Sequence, residues 1–243
     1  MRRRTLLAAA GAAAVPFSQP ARAEEDLDVD VALVLAVDVS RSIDEDEARL
    51  QREGYRNAVA DPVVVASIRG GLIGALGVAY VEWAGIEYQR TVIPWRRIST
   101  LAEAQAWATE LAEAPRTSLS WTSISGGIRH SRQLLAECPW EATRKVIDVS
   151  GDGVNNSGPP ADTERDLALA QGITINGLPI INDRPTFGRM PPVPLDDYYR
   201  ENVIGGDGHF MIVAEDFESF GVAVKRKLIR EIAGLPADAL RIG

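Results

Sequence analysis

Residues 31–37 read Val-Ala-Leu-Val-Leu-Ala-Val, an apolar run with no polar position on either alternating face. A half-exposed strand would show period-two alternation, so this run predicts a strand buried on both faces, as in the interior of a parallel sheet. Residues 145–149 predict a second buried strand and 173–181 a third, while 210–214 predict a short one near the end. The segment 72–83 predicts another, carrying Gly74 and Gly77, with a short partner at 91–95 beyond a turn around Tyr88. Pro94 cannot donate to a ladder and puts that partner at an edge, and the tight connection makes the pair antiparallel.

Between these runs the apolar period changes to that of a helix. Asp44 with Glu47 forms a capping-box pattern for a helix to about Ala60, with a thin apolar face of Ile43, Leu50, Tyr55 and Val59. Ser99 is placed to cap a helix over 101–114, where Leu101, Ala104, Trp107, Ala108 and Leu111 share one side and Pro115 closes it. A further helix begins near Ser123 with Ile124, Ile128 and Leu135 on one face, and 161–171 predicts another. The closing helix, 216–233, buries Phe217, Phe220, Val224, Leu228 and Ile232 and sets Lys225, Arg226, Lys227 and Arg230 toward the negative end of its dipole. Strands alternating with helices make the fold class α/β, a doubly wound, mainly parallel six-stranded sheet with one antiparallel edge strand and helices on both faces. The stretch 182–208, with Pro185, Pro191, Pro192, Pro194 and the pair Gly205-Gly206, reads as a surface excursion. Leaving the strand 173–181 at its carboxyl end, it is expected to bring Tyr198, Tyr199 and Arg200 to that end of the sheet and into partner selection.

Composition changes this picture at the amino terminus. Arg2, Arg3 and Arg4 precede a short apolar stretch at 6–17, and Ala21-Arg22-Ala23 has the small-x-small form of a signal-peptidase site. The stretch falls short of the ~20 residues that span a bilayer. Residues 1–23 therefore predict a removable, twin-arginine-like export signal and 24–243 one domain, giving a periplasmic or secreted protein. That signal holds four of the 26 basic residues and none of the 34 acidic ones, so the remainder is more acidic than the −8 of the whole chain. Nucleic acid and anionic membrane are poor partners for such a surface, and no segment of 24–243 reads as a membrane span. Cys138 is the single cysteine, which removes intramolecular disulfides and any Cys/His zinc cluster, and His130 and His209 lack metal-ligand spacing.

The chemistry concentrates at strand ends. Asp38-x-Ser40-x-Ser42 follows the first buried strand, where open α/β sheets place their ligands, and offers one carboxylate and two hydroxyls to a hard cation such as Mg²⁺. Thr122 stands at a helix start, and Asp152-Gly153 follows the strand 145–149. In a doubly wound sheet the first and fourth strands are neighbours, so these three segments converge. Taken singly, each residue has a plainer role: Asp38 and Thr122 as helix caps, Asp152 as a turn residue.

In order, spacing and context the chain resembles a von Willebrand factor A (vWA) domain with its metal-ion-dependent adhesion site, over essentially all of 24–243, and is most similar to a group of exported bacterial proteins of unknown function. The resemblance implies that Asp38, Ser40 and Ser42, with Thr122 and Asp152, hold Mg²⁺, Mn²⁺ or Ca²⁺, and that a partner carboxylate completes the shell. One departure is visible: the family usually reads Thr-Asp-Gly where this chain has Gly151-Asp152-Gly153, so a loop-orienting hydroxyl is missing or displaced. Asp148, inside a buried strand, needs a partner and is expected to support the metal loop unless the strand ends there. Trp121, Arg41 and Arg116 are candidate rim contacts. The expected function is an exported, non-enzymatic binding module that presents the cation to an acidic group of a protein or peptide. The alternatives are a metal-assisted phosphate or ester hydrolase, for which no nucleophile-base pair is evident, and a structural domain with a degenerate site.

Overall fold

The computed structural model describes residues 28–181 and 193–234. The predicted export signal and the segment 182–192 lie outside the described residues. Five strands form one sheet in the order β3-β2-β1-β4-β5, with β1 Val29–Asp38, β2 Leu76–Trp83, β3 Gln89–Ile98, β4 Ala142–Gly151 and β5 Ile173–Pro179. β1 runs parallel to both β2 and β4, β4 is parallel to β5, and β3 closes one edge antiparallel to β2. The unbroken apolar run thus becomes the central strand, buried at every position but Asp30.

Helices cover both faces: α1 Glu45–Val59, α2 Pro62–Arg69, α3 Leu101–Glu113 and α7 Phe220–Ala233 on one, α4 Ile124–Ala136, α5 Ala161–Leu169 and α6 Leu195–Asn202 on the other. Alternate β1 residues sort accordingly. Leu33, Leu35 and Val37 enter the core under α1 and α7. Ala32, Val34 and Ala36 enter the core under α4. Small side chains on that second face let α4 lie close to the strand ends that carry the polar loops. On the first face Tyr55, Tyr80, Trp107 and Phe220 stack edge-to-face, and Gly54 permits the contact, because a Cβ there would sit 2.8 Å from Phe220.

Several expectations are corrected. The sheet has five strands, not six: 210–214 makes only isolated bridges, Gly177 to Met211 and Ile180 to Ala214, too few for a ladder. β2 begins at Leu76 because Gly74 (φ 78°) turns the chain just before it, and α2 forms where no helix is read from the sequence. Thr100, not Ser99, caps α3 and forms a capping box with Glu103. The expected excursion is in part a helix, since Leu195, Tyr199 and Val203 recur at a spacing of four and are buried against α5 and β5; the prolines before it disguise that period. Among the described residues no helix is long and apolar enough to cross a membrane.

Candidate metal centre

β1 delivers Asp38 fully buried at the carboxyl end of the sheet, beside Trp83 of β2. The backbone then turns on itself: the Ser40 amide donates to Asp38 Oδ1 at 2.7 Å, a local side-chain-to-backbone bond that breaks the ladder. Gln51 of α1 donates to the Asp38 carbonyl at 3.2 Å and fixes the strand end from the helix side. Ser40 Oγ lies 2.9 Å from Ser42 Oγ, and Ser42 Oγ donates to Asp152 Oδ1 at 2.7 Å. A continuous chain of oxygens therefore runs from the loop after β1 to the loop after β4.

Thr122 reaches the same place from the loop before α4. Its amide donates to Asn156 Oδ1 at 2.8 Å and its carbonyl accepts from the Asn156 and Ser157 amides. Asn155 Oδ1 accepts from the Ser125 amide and hydroxyl, and Ser123 caps α4 through the Gly126 amide. The Thr122 hydroxyl stands 3.5 Å from where a Cβ of Gly153 would lie, which puts it against the loop carrying Asp152. Arg52 braces the far side of this loop, donating to the Ala114 carbonyl at 2.6 Å and the Pro115 carbonyl at 3.2 Å while paired at 2.6 Å with buried Glu82.

All five predicted residues thus meet at one end of the sheet. Asn155, Asn156 and Arg52, which sequence reasoning missed, hold the Thr122 loop; the pair Asn155-Asn156 just after Asp152 was the signal available. Two expectations are corrected. Asp148 does not support the metal loop: it points to the α7 face, where Lys227 pairs with it at 2.6 Å, because it shares the register and side of Leu35. Tyr199 reaches the sheet end near Asp38, as expected, but is fully buried and offers no surface to a partner; Arg200 is exposed and pairs with Asp196 and Asp197 of its own helix. Tyr198 is half-buried.

Electrostatically the centre is unbalanced toward negative charge. Burial, and then the neighbouring Asp152 carboxylate, push the Asp38 carboxyl well above the ordinary range. Asp38 Oδ2 is buried without a hydrogen-bond partner among the described residues. The separations of 2.7–2.9 Å between successive side-chain oxygens are those of ordinary O–H···O hydrogen bonds and gather these oxygens into one small space. Among the described residues no group of three or more His, Cys, Asp and Glu side chains is placed to hold a metal. The donor set here is instead two carboxylates and three hydroxyls, all hard oxygens of the kind that suits Mg²⁺, Mn²⁺ or Ca²⁺. Neither histidine approaches the serines: His130 contacts Thr91, and His209 contacts the Gly206 carbonyl.

The rim is partly apolar. Leu119 forms a bridge to Ser40 and is 37% exposed, and Trp121, next to Thr122, is 56% exposed. Trp121 is also the one non-glycine residue at positive φ (73°) among those described, a strained conformation of the kind that gathers at functional sites.

The sequence profile of the family described as "Protein of unknown function (DUF1194)" matches residues 28–236. Comparison with curated proteins finds no relative. Among solved structures, proximal thread matrix protein 1 from the mussel byssus is similar at TM-score 0.62 and 15% identity, over 86% of this chain and 48% of that one. Its structure "with zinc occupied MIDAS motif" aligns at TM-score 0.56 and 17% identity, over 84% and 47%. The vWF domain of the type V pili tip protein Mfa5 from Porphyromonas gingivalis aligns at TM-score 0.55 and 11% identity, over 88% and 98%. The chain spans about half the length of the byssus protein. At these identities the likeness establishes the fold alone, a vWA-like one.

Proposed function

The chain belongs to the DUF1194 family and has a vWA-like fold, and we propose that it is an exported binding module which presents a divalent cation to an acidic group of a protein or peptide partner. The observation that carries this reading is the buried run of oxygens Asp38, Ser40, Ser42 and Asp152, with Thr122 alongside, in which one carboxylate oxygen has no partner and two carboxylates lie together. Asp38, Ser40, Ser42, Thr122 and Asp152 hold the cation, Mg²⁺ by the hardness of the donors. The cation neutralises the paired carboxylates and, with uncharged hydroxyls as three of its ligands, keeps the positive character that attracts a further carboxylate. The byssus protein, whose structure has a zinc-occupied MIDAS motif, supports a divalent cation on this fold.

Leu119 and Trp121 add an apolar shelf beside the cation, and exposed Arg41 adds a positive charge between the two serines. The partner segment then carries an Asp or Glu next to an apolar side chain. At long range the acidic surface opposes such a segment, but salt screens that repulsion beyond about 10 Å, and the cation acts at contact. The twin-arginine-like segment 1–23 delivers the domain to the periplasm or the exterior. Affinity capture with the intact domain tests the reading: the retained protein is released by chelator, restored by Mg²⁺, and not retained by Asp38→Ala. Capture indifferent to all three contradicts it.

A further inference from the structure

β4 ends on a glycine, Gly151, where the resembled family usually carries a threonine, and the surroundings of that glycine are crowded. A Cβ on Gly151 would stand 2.9 Å from Asp38 Oδ2, 3.0 Å from Asp38 Cβ and 3.2 Å from the Tyr199 hydroxyl. The first of these distances is too short for a real Cβ, so a side chain at 151 would displace the Asp38 carboxylate from the space that it and the Tyr199 hydroxyl border. By the same construction the two oxygens lie within about 6 Å of each other, the sum of their distances to one point. Both are fully buried, and neither has a hydrogen-bond partner among the described residues. Two orphaned polar atoms bordering one spot is an arrangement that folding alone disfavours, since each costs free energy to desolvate.

Tyr199 is also held there firmly. It lies on α6, between Leu195 and Val203 on the same buried face, and the Val203 and Ile204 amides both donate to its carbonyl.

We propose that Tyr199 is a positioning residue for the cation centre: its hydroxyl, brought from α6, takes the place of the side-chain hydroxyl that position 151 lacks and orients the Asp38 carboxylate for the cation. The proposal rests on the metal reading above. It assigns α6, the helix hidden in a proline-rich stretch, a function in the centre rather than at the partner surface. A hydroxyl reaching in from another element can serve this purpose because such an outer contact needs only the right atom at the right point, whichever part of the chain supplies it.

The test is calorimetric titration of the full chain with Mg²⁺ and Mn²⁺ in wild type and Tyr199→Phe, with urea unfolding of both in chelator. The variant removes one oxygen and keeps the ring. The expected result is about 10-fold weaker cation binding, equivalent to about 1.4 kcal/mol, with unfolding in chelator unchanged or shifted to higher urea, because an orphaned buried hydroxyl has been removed. In wild type, cation addition also perturbs the near-ultraviolet tyrosine absorbance, and the variant lacks that component. Equal affinity in the two proteins, or a variant that only loses stability in chelator, overturns the proposal and leaves the metal reading standing. Wild type that binds neither cation overturns both.

Discussion

Asp38 and Asp148 are both fully buried carboxylates on adjacent parallel strands, and burial raises both, yet the protein treats them in opposite ways. Asp148 faces α7, where Lys227 pairs with it at 2.6 Å and also with Glu231, and Glu231 in turn accepts from Asn176 at 2.9 Å. That cluster has its own cation within the chain, although Asp148 Oδ2 and Glu231 Oε2 make no hydrogen bond among the described residues. Asp38 faces the loops at the sheet end, makes no ion pair among the described residues, and has Asp152 as its neighbour. A buried charge must be paired or neutralised, so the difference separates a carboxyl with a cation beside it from one with none among the described residues.

The largest effect should come from opening the Lys227 cluster. Lys227→Met leaves Asp148 and Glu231 buried without their cation and should cost about 3–5 kcal/mol of stability by urea unfolding, while Mg²⁺ affinity of the folded protein stays within about twofold. A cation affinity that collapses with it would show that the two regions are not separable.

The next effect is on pH. The Asp148 carboxyl is raised to about 7, by burial first, with Lys227 opposing and Glu231 adding, against an ordinary value of 3.8. Between those values the folded state holds a proton that the unfolded chain has released, so stability falls as pH rises through about 4 to 7 and levels above it. Asp38 is shifted in the same direction. Carboxylates held below their ordinary range, such as Asp30 and Glu103, act only at lower pH. Urea midpoints in chelator should therefore be lower at pH 7.5 than at pH 5, and Mg²⁺ should restore more stability at the higher pH, where Asp38 gives up its proton at least cost. A rising midpoint in chelator over that interval contradicts the assignment.

Smaller effects should mark the loops. Asn156→Ala frees the Thr122 amide and should weaken Mg²⁺ binding about 10-fold, with a stability loss of about 1 kcal/mol. Trp121→Gly removes an exposed indole and a strained backbone conformation, so it should raise stability by roughly 1 kcal/mol and leave Mg²⁺ binding unchanged, while partner capture declines. Unaltered capture would remove Trp121 from the partner surface.

What was legible in the sequence follows from the same contrast. The central strand, the parallel neighbours and the amphipathic α3, α4 and α7 were readable because burial imposes a period on contiguous residues. Asp38, Ser40 and Ser42 were readable because one turn brings their oxygens together. Residues that act across the chain left no such trace. Asp148 carries no sign of Lys227, 79 positions away in sequence, and its side of the sheet depends on register with Leu35. Tyr199 was expected near the centre, but its full burial depends on α6, whose period was masked by prolines, and on a glycine 48 positions earlier. The 210–214 segment looks like a strand by composition, yet makes only two bridges with β5 and the residue just beyond it.

The central claim is that the Asp38 cluster is completed by a hard divalent cation, and its most direct test is calorimetric titration of the chelator-treated chain with Mg²⁺, alongside Asp38→Ala. The expected result is one saturable site in wild type, with affinity lower at pH 5 than at pH 7.5, and a loss of at least about 100-fold, or about 2.7 kcal/mol, in the variant, whose unfolding in chelator is nearly unchanged. Absence of a saturable site in wild type, or equal binding by Asp38→Ala, would contradict the claim and return Asp38 to the part of a strand-end cap.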